Sequence, residues 1–263
     1  MSGYGEALST ERLVDFTCNK IEFMSPPRDC DVVYGSTPVV SFGNPRGAKV
    51  ATLGINPSSN EFQIGNGNKS PLGEFERKRL VDTEILEIAN PKNLTREQAI
   101  QVIEGCYDYF TGPVANPYGW FEKLEKFVLK PAGYTYYGPN ASACHLDLVQ
   151  WATDPVWDSI SDKSIKVELL KQDKEFLRYQ LTSYDFDFVF LNGGTVVKQF
   201  KKLDIAKLEV VHQVTRNSKG GIHEVFKGTS NGTTYYGWGI NAASGDANKK
   251  GLEELSNWIK TQY

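Results

Sequence analysis

Apolar and polar positions along the chain alternate between two periods. Lys49 to Ile55 reads Lys-Val-Ala-Thr-Leu-Gly-Ile, a short apolar run stopped by Asn56-Pro57, as a strand buried on both faces of a parallel sheet would read. Similar runs bounded by breakers occur at Ala141-Val149, Phe186-Leu191 and Leu208-Val211, and the intervening segments carry helical spacing. Helices are predicted near 73-88, 95-109, 118-129, 163-183 and 194-203. After Lys207 the runs Gly221-Lys227 and Thr233-Ile240 flank Asn231-Gly232, a strong hairpin signal. A last helix is predicted to place Leu252, Leu255 and Ile259 on one face, with Trp258 at its edge. Strands alternating with helices predict an α/β fold, a three-layer α/β/α sandwich with a mostly parallel central sheet.

Residues 1-45 combine polar stretches with turn signals at Pro26-Pro27, Gly35 and Gly43-Asn44-Pro45. They read as an N-terminal extension packed on a domain formed by 46-263, a length ample for one filled core. Residues 1-20 lack a signal peptide's apolar run, and no later segment reaches the ~18 apolar residues of a membrane span. A cytoplasmic protein with no membrane partner is the expectation.

Charge narrows the range of partners. A net charge of -3 excludes broad nucleic-acid coating, which needs a densely basic surface to release counterions. Nucleic-acid contact is left to local patches, of which Arg77-Lys78-Arg79, Lys198 with Lys201 and Lys202, and Lys249-Lys250 are candidates; each also reads as a solvated helix face. Cys18, Cys30, Cys106 and Cys144 form no Cys-x-x-Cys pair, so neither zinc nor a disulfide framework is signalled. His212 and His223 have no ligand-spaced partner, while Arg216 and Lys219 between them are candidates for phosphate contact.

Two motifs end strands in an informative order. Gly54-Ile55-Asn56-Pro57 closes the first strand of the domain, and Asn241-Ala242-Ala243-Ser244-Gly245 opens the loop before the last helix. Together they resemble the two signature motifs of the uracil-DNA glycosylase superfamily. The resemblance is closest to the mismatch-specific uracil and thymine branch, which reads Gly-Ile-Asn-Pro-Gly and Asn-Pro-Ser-Gly. Here Ser58 replaces the glycine, and Ala242-Ala243 precede Ser244-Gly245. Trp120-Leu124 and Ala143-Leu148 fall where single-strand-selective uracil glycosylases have similar elements, so the resemblance runs through residues 46-260.

The resemblance implies a monofunctional, metal-independent DNA glycosylase, without a cofactor, that hydrolyses the N-glycosidic bond of a flipped-out pyrimidine and leaves an abasic site. By position, Asn56 and Asn241 are the implied catalytic residues, the first orienting water and the second stabilising charge on the departing base. Each also has a plain structural reading, Asn56 as an Asx-Pro turn and Asn241 as a helix N-cap. Ile55, Phe62, Leu72, His145 and Asp147 are the implied substrate-binding residues. The aromatic platform has Phe62, Phe75 and Leu72 as candidates, and a leucine there leaves a wider pocket. His145 and Asp147, on one face of a strand, suit an amino-bearing pyrimidine edge; His145 equally reads as a satisfied core residue. Trp151, Asp154 and Trp157 are candidates for the pocket wall or for capping and core packing.

Ser244, Asn248, Lys249 and Lys250 are the implied DNA-binding residues. No bulky apolar wedge stands among them, which points to single-stranded, mismatched or base-modified DNA as partner. The expected base is uracil-type or a bulky modified cytosine such as glucosylated hydroxymethylcytosine, which one branch removes from phage DNA as bacterial defence. A monomer is expected. The rival readings are a non-catalytic DNA-binding member of the same fold and a nucleoside or nucleotide hydrolase.

Overall fold

The computed structural model describes residues 9-22, 32-33, 36-62, 95-112, 117-216, 221-244 and 247-263. The chain forms two units: Met1–Asn44 with Ile55–Asn116 and Asp147–Tyr184, and Pro45–Gly54 with Pro117–Leu146 and Asp185–Tyr263. The expected helix at 73-88, with Arg77-Lys78-Arg79, lies outside the described residues.

The apolar runs become a six-stranded sheet. Its strands are β1 (Val50–Gly54), β2 (Ala143–Asp147), β3 (Phe188–Asn192), β4 (Glu209–Thr215), β5 (Ile222–Ser230) and β6 (Thr233–Trp238), in the order β2-β1-β3-β6-β5-β4. β3 lies parallel to both β1 and β6, with Leu191 beside Leu53 on one side and Gly237 on the other. β1 is buried throughout, as its apolar sequence requires. The hairpin forms where Asn231-Gly232 places it: both residues have positive φ, 48° and 87°, and Ser230 pairs with Thr233. β4 runs to Thr215, beyond the expected run, and its first five residues are exposed.

Helices flank this sheet on both sides. Consecutive strand residues face opposite ways. From β6, Gly237 faces α6 (Gly194–Phe200): a Cβ there would stand 2.8 Å from Val197 Cγ2. Tyr236 faces α7 (Lys249–Lys260), meeting the Trp258 ring edge-on with centroids 5.4 Å apart. Leu252, Leu255 and Ile259 are buried, as their spacing predicts. The fold is therefore α/β, a sheet with a parallel centre and an antiparallel flank between helices.

The first turn of α7 packs closely on the end of β4. A Cβ on Gly251 would lie 2.1 Å from the Thr215 carbonyl oxygen, an impossible contact with backbone on both sides. Gly251→Ala is expected to cost about 1–3 kcal/mol through overpacking, read as a lower denaturation midpoint at unchanged m. An unchanged midpoint would show that helix and strand separate freely.

In this same unit, α3 (Trp120–Leu124) continues through a π-helical stretch, Glu125–Leu129, into the short α4 (Lys130–Ala132). The buried Glu125 side chain accepts from Thr135 Oγ1 at 2.6 Å and Tyr136 N at 3.1 Å, so both of its oxygens have donors in the widened turn.

The other unit contains α1 (Thr10–Glu22), α2 (Arg96–Tyr107) and α5 (Lys163–Ser183). α1 departs from the expected turn-rich extension. Leu13, Val14 and Thr17 are buried along it, Phe16 stacks on Phe176 of α5, and Asp15 pairs with Arg96 of α2 at 2.7 Å. α2 starts with a capping box from Thr95 and Gln98, and α5, capped by Asp162, spans the expected 163-183. Val149, Trp151, Trp157, Ile160 and Leu169 form a core cluster with Ile55 packed against it, so Trp157 takes its core-packing role. Among the described residues no helix is long and apolar enough to cross a membrane.

Candidate functional site

The loop after β6 is organised by a residue that the motifs do not include. Asn192 ends β3 with only 3% of its surface exposed. Its Oδ1 accepts from Ala242 N at 2.8 Å and Trp238 Nε1 at 3.4 Å, while its Nδ2 donates to Asn241 Oδ1 at 2.9 Å. Asn241 Oδ1 accepts a second bond from Ala243 N at 3.2 Å. Backbone N–H groups only donate, so they fix which end of each amide is oxygen. Asn241 is exposed, with its carbonyl oxygen held by two donors and its Nδ2 without a protein partner among the described residues. Gly193, with φ of 108°, adopts a backbone that favours glycine; a Cβ there would approach Asn241 Cβ to 3.6 Å.

Two further contacts steady this loop. Ser244 N donates to Asn241 O at 3.0 Å, and Lys123 Nζ donates to Ser244 O at 2.7 Å. Lys123 belongs to the Trp120-Leu124 segment recognised in the sequence, but nothing in its spacing marks it as a loop anchor. Asn248 N-caps α7, accepting from Lys250 N at 2.9 Å and Gly251 N at 3.3 Å. Lys249 and Lys250 are exposed, 3.8 Å from Glu253 and Glu254 respectively.

Asn56, two residues beyond β1 and assigned to the other unit, has the opposite polarity. Its Nδ2 lies 3.1 Å from Pro57 O, 3.2 Å from Trp151 O and 3.0 Å from Thr153 Oγ1. The two carbonyl oxygens only accept, so the nitrogen must face them and Oδ1 faces the other way. No protein donor among the described residues takes that oxygen. Thr153 bridges to Ser58 and Val32, tying this loop to two other segments.

A buried carboxylate follows Asn56 that the sequence reading did not single out. Glu61 is 2% exposed in the 3-10 turn Ser59–Glu61, and Tyr109 Oη lies 2.9 Å from each of its oxygens. A glutamate in a polar loop looks solvated until Tyr109, far along the chain, closes over it. Phe62 next to it is also buried, at 2% exposed, and Ile55 is half-buried. Leu72 and Phe75 lie outside the described residues.

His145, buried on β2, shares a 2.6 Å hydrogen bond through Nδ1 with Thr52 Oγ1, which in turn bonds the Tyr136 hydroxyl. The rings of Trp120 and Phe121 meet it edge-on, each with centroids 5.2 Å away. These contacts suit the reading of a satisfied core histidine. Asp147 is also buried, and its backbone oxygen accepts from Gln150 Nε2 at 2.9 Å.

Asn241 and Ser244 are thus joined directly, whereas His145 is held by other partners. Ile55, Asn56, Phe62 and Asp147 belong to one unit; His145, Asn241, Ser244, Asn248, Lys249 and Lys250 belong to the other. Among the described residues no group of three or more His, Cys, Asp or Glu is placed to hold a metal ion. Burial raises the Cys106 thiol to about 11 and pushes Cys144 up further, so both are inert at neutral pH.

No protein-family model matches the chain, and no curated protein matches it.

Proposed function

We propose that this protein is a DNA glycosylase of the uracil-DNA glycosylase type, acting on a flipped-out damaged or modified pyrimidine. The observation that carries the reading is the opposed polarity of two held amides, with the Asn56 carbonyl and the Asn241 amino group taken by no protein partner among the described residues.

Hydrolysis of an N-glycosidic bond asks for those two complements. Water adds its oxygen to C1′ as the bond to the base breaks, the electron pair leaves on the base, and a water proton is released. An amide carbonyl is too weak a base to remove that proton early, so Asn56 contributes orientation, accepting a hydrogen bond from the water. The Asn241 N–H group donates to the base as negative charge grows on it. Asn192 supports this as a positioning residue, keeping the Asn241 oxygen turned away from the charge.

Without an apolar wedge beside Ser244 and Asn248, extrusion of a well-paired base is poorly supported. Single-stranded, mismatched or base-modified DNA is therefore the proposed substrate, including bulky modified cytosines. Asp147 is proposed to accept from a cytosine-type amino group, with His145 beside it on the strand.

The test incubates the protein with oligonucleotides carrying uracil, mismatched thymine, hydroxymethylcytosine or its glucosylated form, then reveals abasic sites with alkali. Strand cleavage in one lane supports the reading and names the base. Binding with no cleavage in any lane replaces it with a non-catalytic DNA-binding protein, and cleavage of mononucleosides alone replaces it with a nucleoside hydrolase.

A further inference from the structure

The β4–β5 hairpin carries two basic side chains that the proposed chemistry does not use. His223 on β5 pairs across the strands with Val214, and Arg216 follows two positions beyond Val214, its N–H bonded to Gly221 O at 2.6 Å. Residues two apart on a strand share a face, so Arg216 and His223 are diagonal neighbours on one side of the hairpin. The half-buried His223 ring lies over the exit of β6: a Cβ on Gly239 would stand 2.5 Å from its Nδ1.

Among the described residues no carboxylate pairs with either group. Among the described residues neither the Arg216 guanidinium nor the His223 ring has a hydrogen-bond or ion-pair partner. Glu254, which α7 presents to the end of β4, accepts from Thr215 N at 2.7 Å and Thr215 Oγ1 at 3.0 Å and lies 3.8 Å from Lys250. The contact of Gly251 with the Thr215 carbonyl brings the amino end of α7 to the same strand end. Desolvation, and then repulsion from Arg216, hold the His223 pKa below its usual value. Two unpaired donors on one face, one permanently cationic, suit an anion with several acceptor oxygens.

We infer that Arg216 and His223 form a phosphate subsite at the end of the β4–β5 hairpin. Its occupant is a backbone phosphodiester of bound DNA, an identification that rests on the proposed function; the subsite itself does not. The phosphate oxygens accept from the Arg216 guanidinium and from a protonated His223 nitrogen, so occupancy raises the histidine's proton affinity.

The experiment follows His223 by NMR against pH, with inorganic phosphate or chloride at matched ionic strength, in the wild type and in the exposed-site variant Arg216→Gln. It also measures how oligonucleotide binding depends on salt. Phosphate is expected to move the wild-type His223 pKa up toward 6.5, its ordinary value. Arg216→Gln starts nearer that value and no longer responds to phosphate. For oligonucleotide, the slope of log affinity against log salt falls in the variant by about 0.7–0.9, one phosphate's worth. A wild-type His223 indifferent to phosphate, with equal slopes in the two proteins, overturns the subsite even if oligonucleotides are cleaved. A His223 that responds to phosphate in a protein that neither binds nor cleaves oligonucleotides confirms the subsite and removes the proposed function.

Discussion

Asn56→Ala is expected to abolish base release at the level of a roughly 100-fold or greater loss in single-turnover rate, with DNA binding little changed. The size follows from the proposed role: losing orientation of one reacting molecule costs about that much in rate. The side chain's three anchors, Pro57 O, Trp151 O and Thr153 Oγ1, are backbone and hydroxyl oxygens that water can serve in a half-buried site. The stability cost is therefore about 1 kcal/mol, too little to unfold the protein. Asn56→Asp is the sharper companion. A carboxylate offers a stronger base, yet it would set an oxygen against the Pro57 and Trp151 carbonyl oxygens, with only the Thr153 hydroxyl able to donate to it, so it should be less stable than the alanine variant and no faster. Full activity in Asn56→Ala, measured by alkali-revealed abasic sites, would remove Asn56 from the mechanism.

Asn192→Asp should be nearly as damaging for a different reason. The aspartate keeps an acceptor for Ala242 N and Trp238 Nε1, so the loop retains its main anchors. What it lacks is the donor that Asn192 supplies to Asn241 Oδ1. The Asn241 amide then gains by turning its nitrogen toward the carboxylate, which sends its oxygen outward. An acceptor facing a departing anion repels it, and a loss of about 100-fold in rate is expected, as for removal of an oxyanion donor. Asn192→Ala removes one of the two donors that hold the Asn241 oxygen, leaving the weaker Ala243 N–H bond, and leaves buried N–H groups unsatisfied, with a stability cost of about 1–3 kcal/mol. The two variants separate polarity from stability: the aspartate should be the better folded and the slower. Equal rates in wild type and Asn192→Asp would break the link between the clamp and catalysis.

β1, β2 and β3 were legible because each lies in a short apolar run closed by a breaker, and the β5–β6 hairpin because Asn231-Gly232 favours positive φ at both positions; the mixed, largely exposed sequence of β4 hid how far it runs. α5 was legible to the residue, from sustained periodicity behind the cap at Asp162. α1 was not. Among its described side chains only Leu13, Val14 and Thr17 are buried, too few to mark a period beside the prolines that follow, although Ser9 does bond Arg12 N at its start. Asn192 was hidden differently: at the end of an apolar run before Gly193-Gly194 it looks like a stop signal. Its value depends on Asn241, 49 positions away. The bond between His145 and Thr52 spans 93 positions and is likewise invisible to local pattern. Residue types and strand ends are local properties, whereas the orientation of an amide is set by whatever the fold brings to it.

The mixed character of the sheet also bears on how it assembles. The antiparallel flank pairs neighbours in sequence: β5 turns directly into β6 through two residues, and β4 precedes β5 by a short connection. The parallel centre instead needs Val50 to find Phe188, closing a loop of more than half the chain. Loop-closure entropy makes the first kind of contact cheap and the second slow. The meander from Glu209 to Trp238 can therefore gather from local encounters, while β1 waits for most of the chain. On a ribosome, the strand that leads into Asn56 emerges well before β3, its parallel partner.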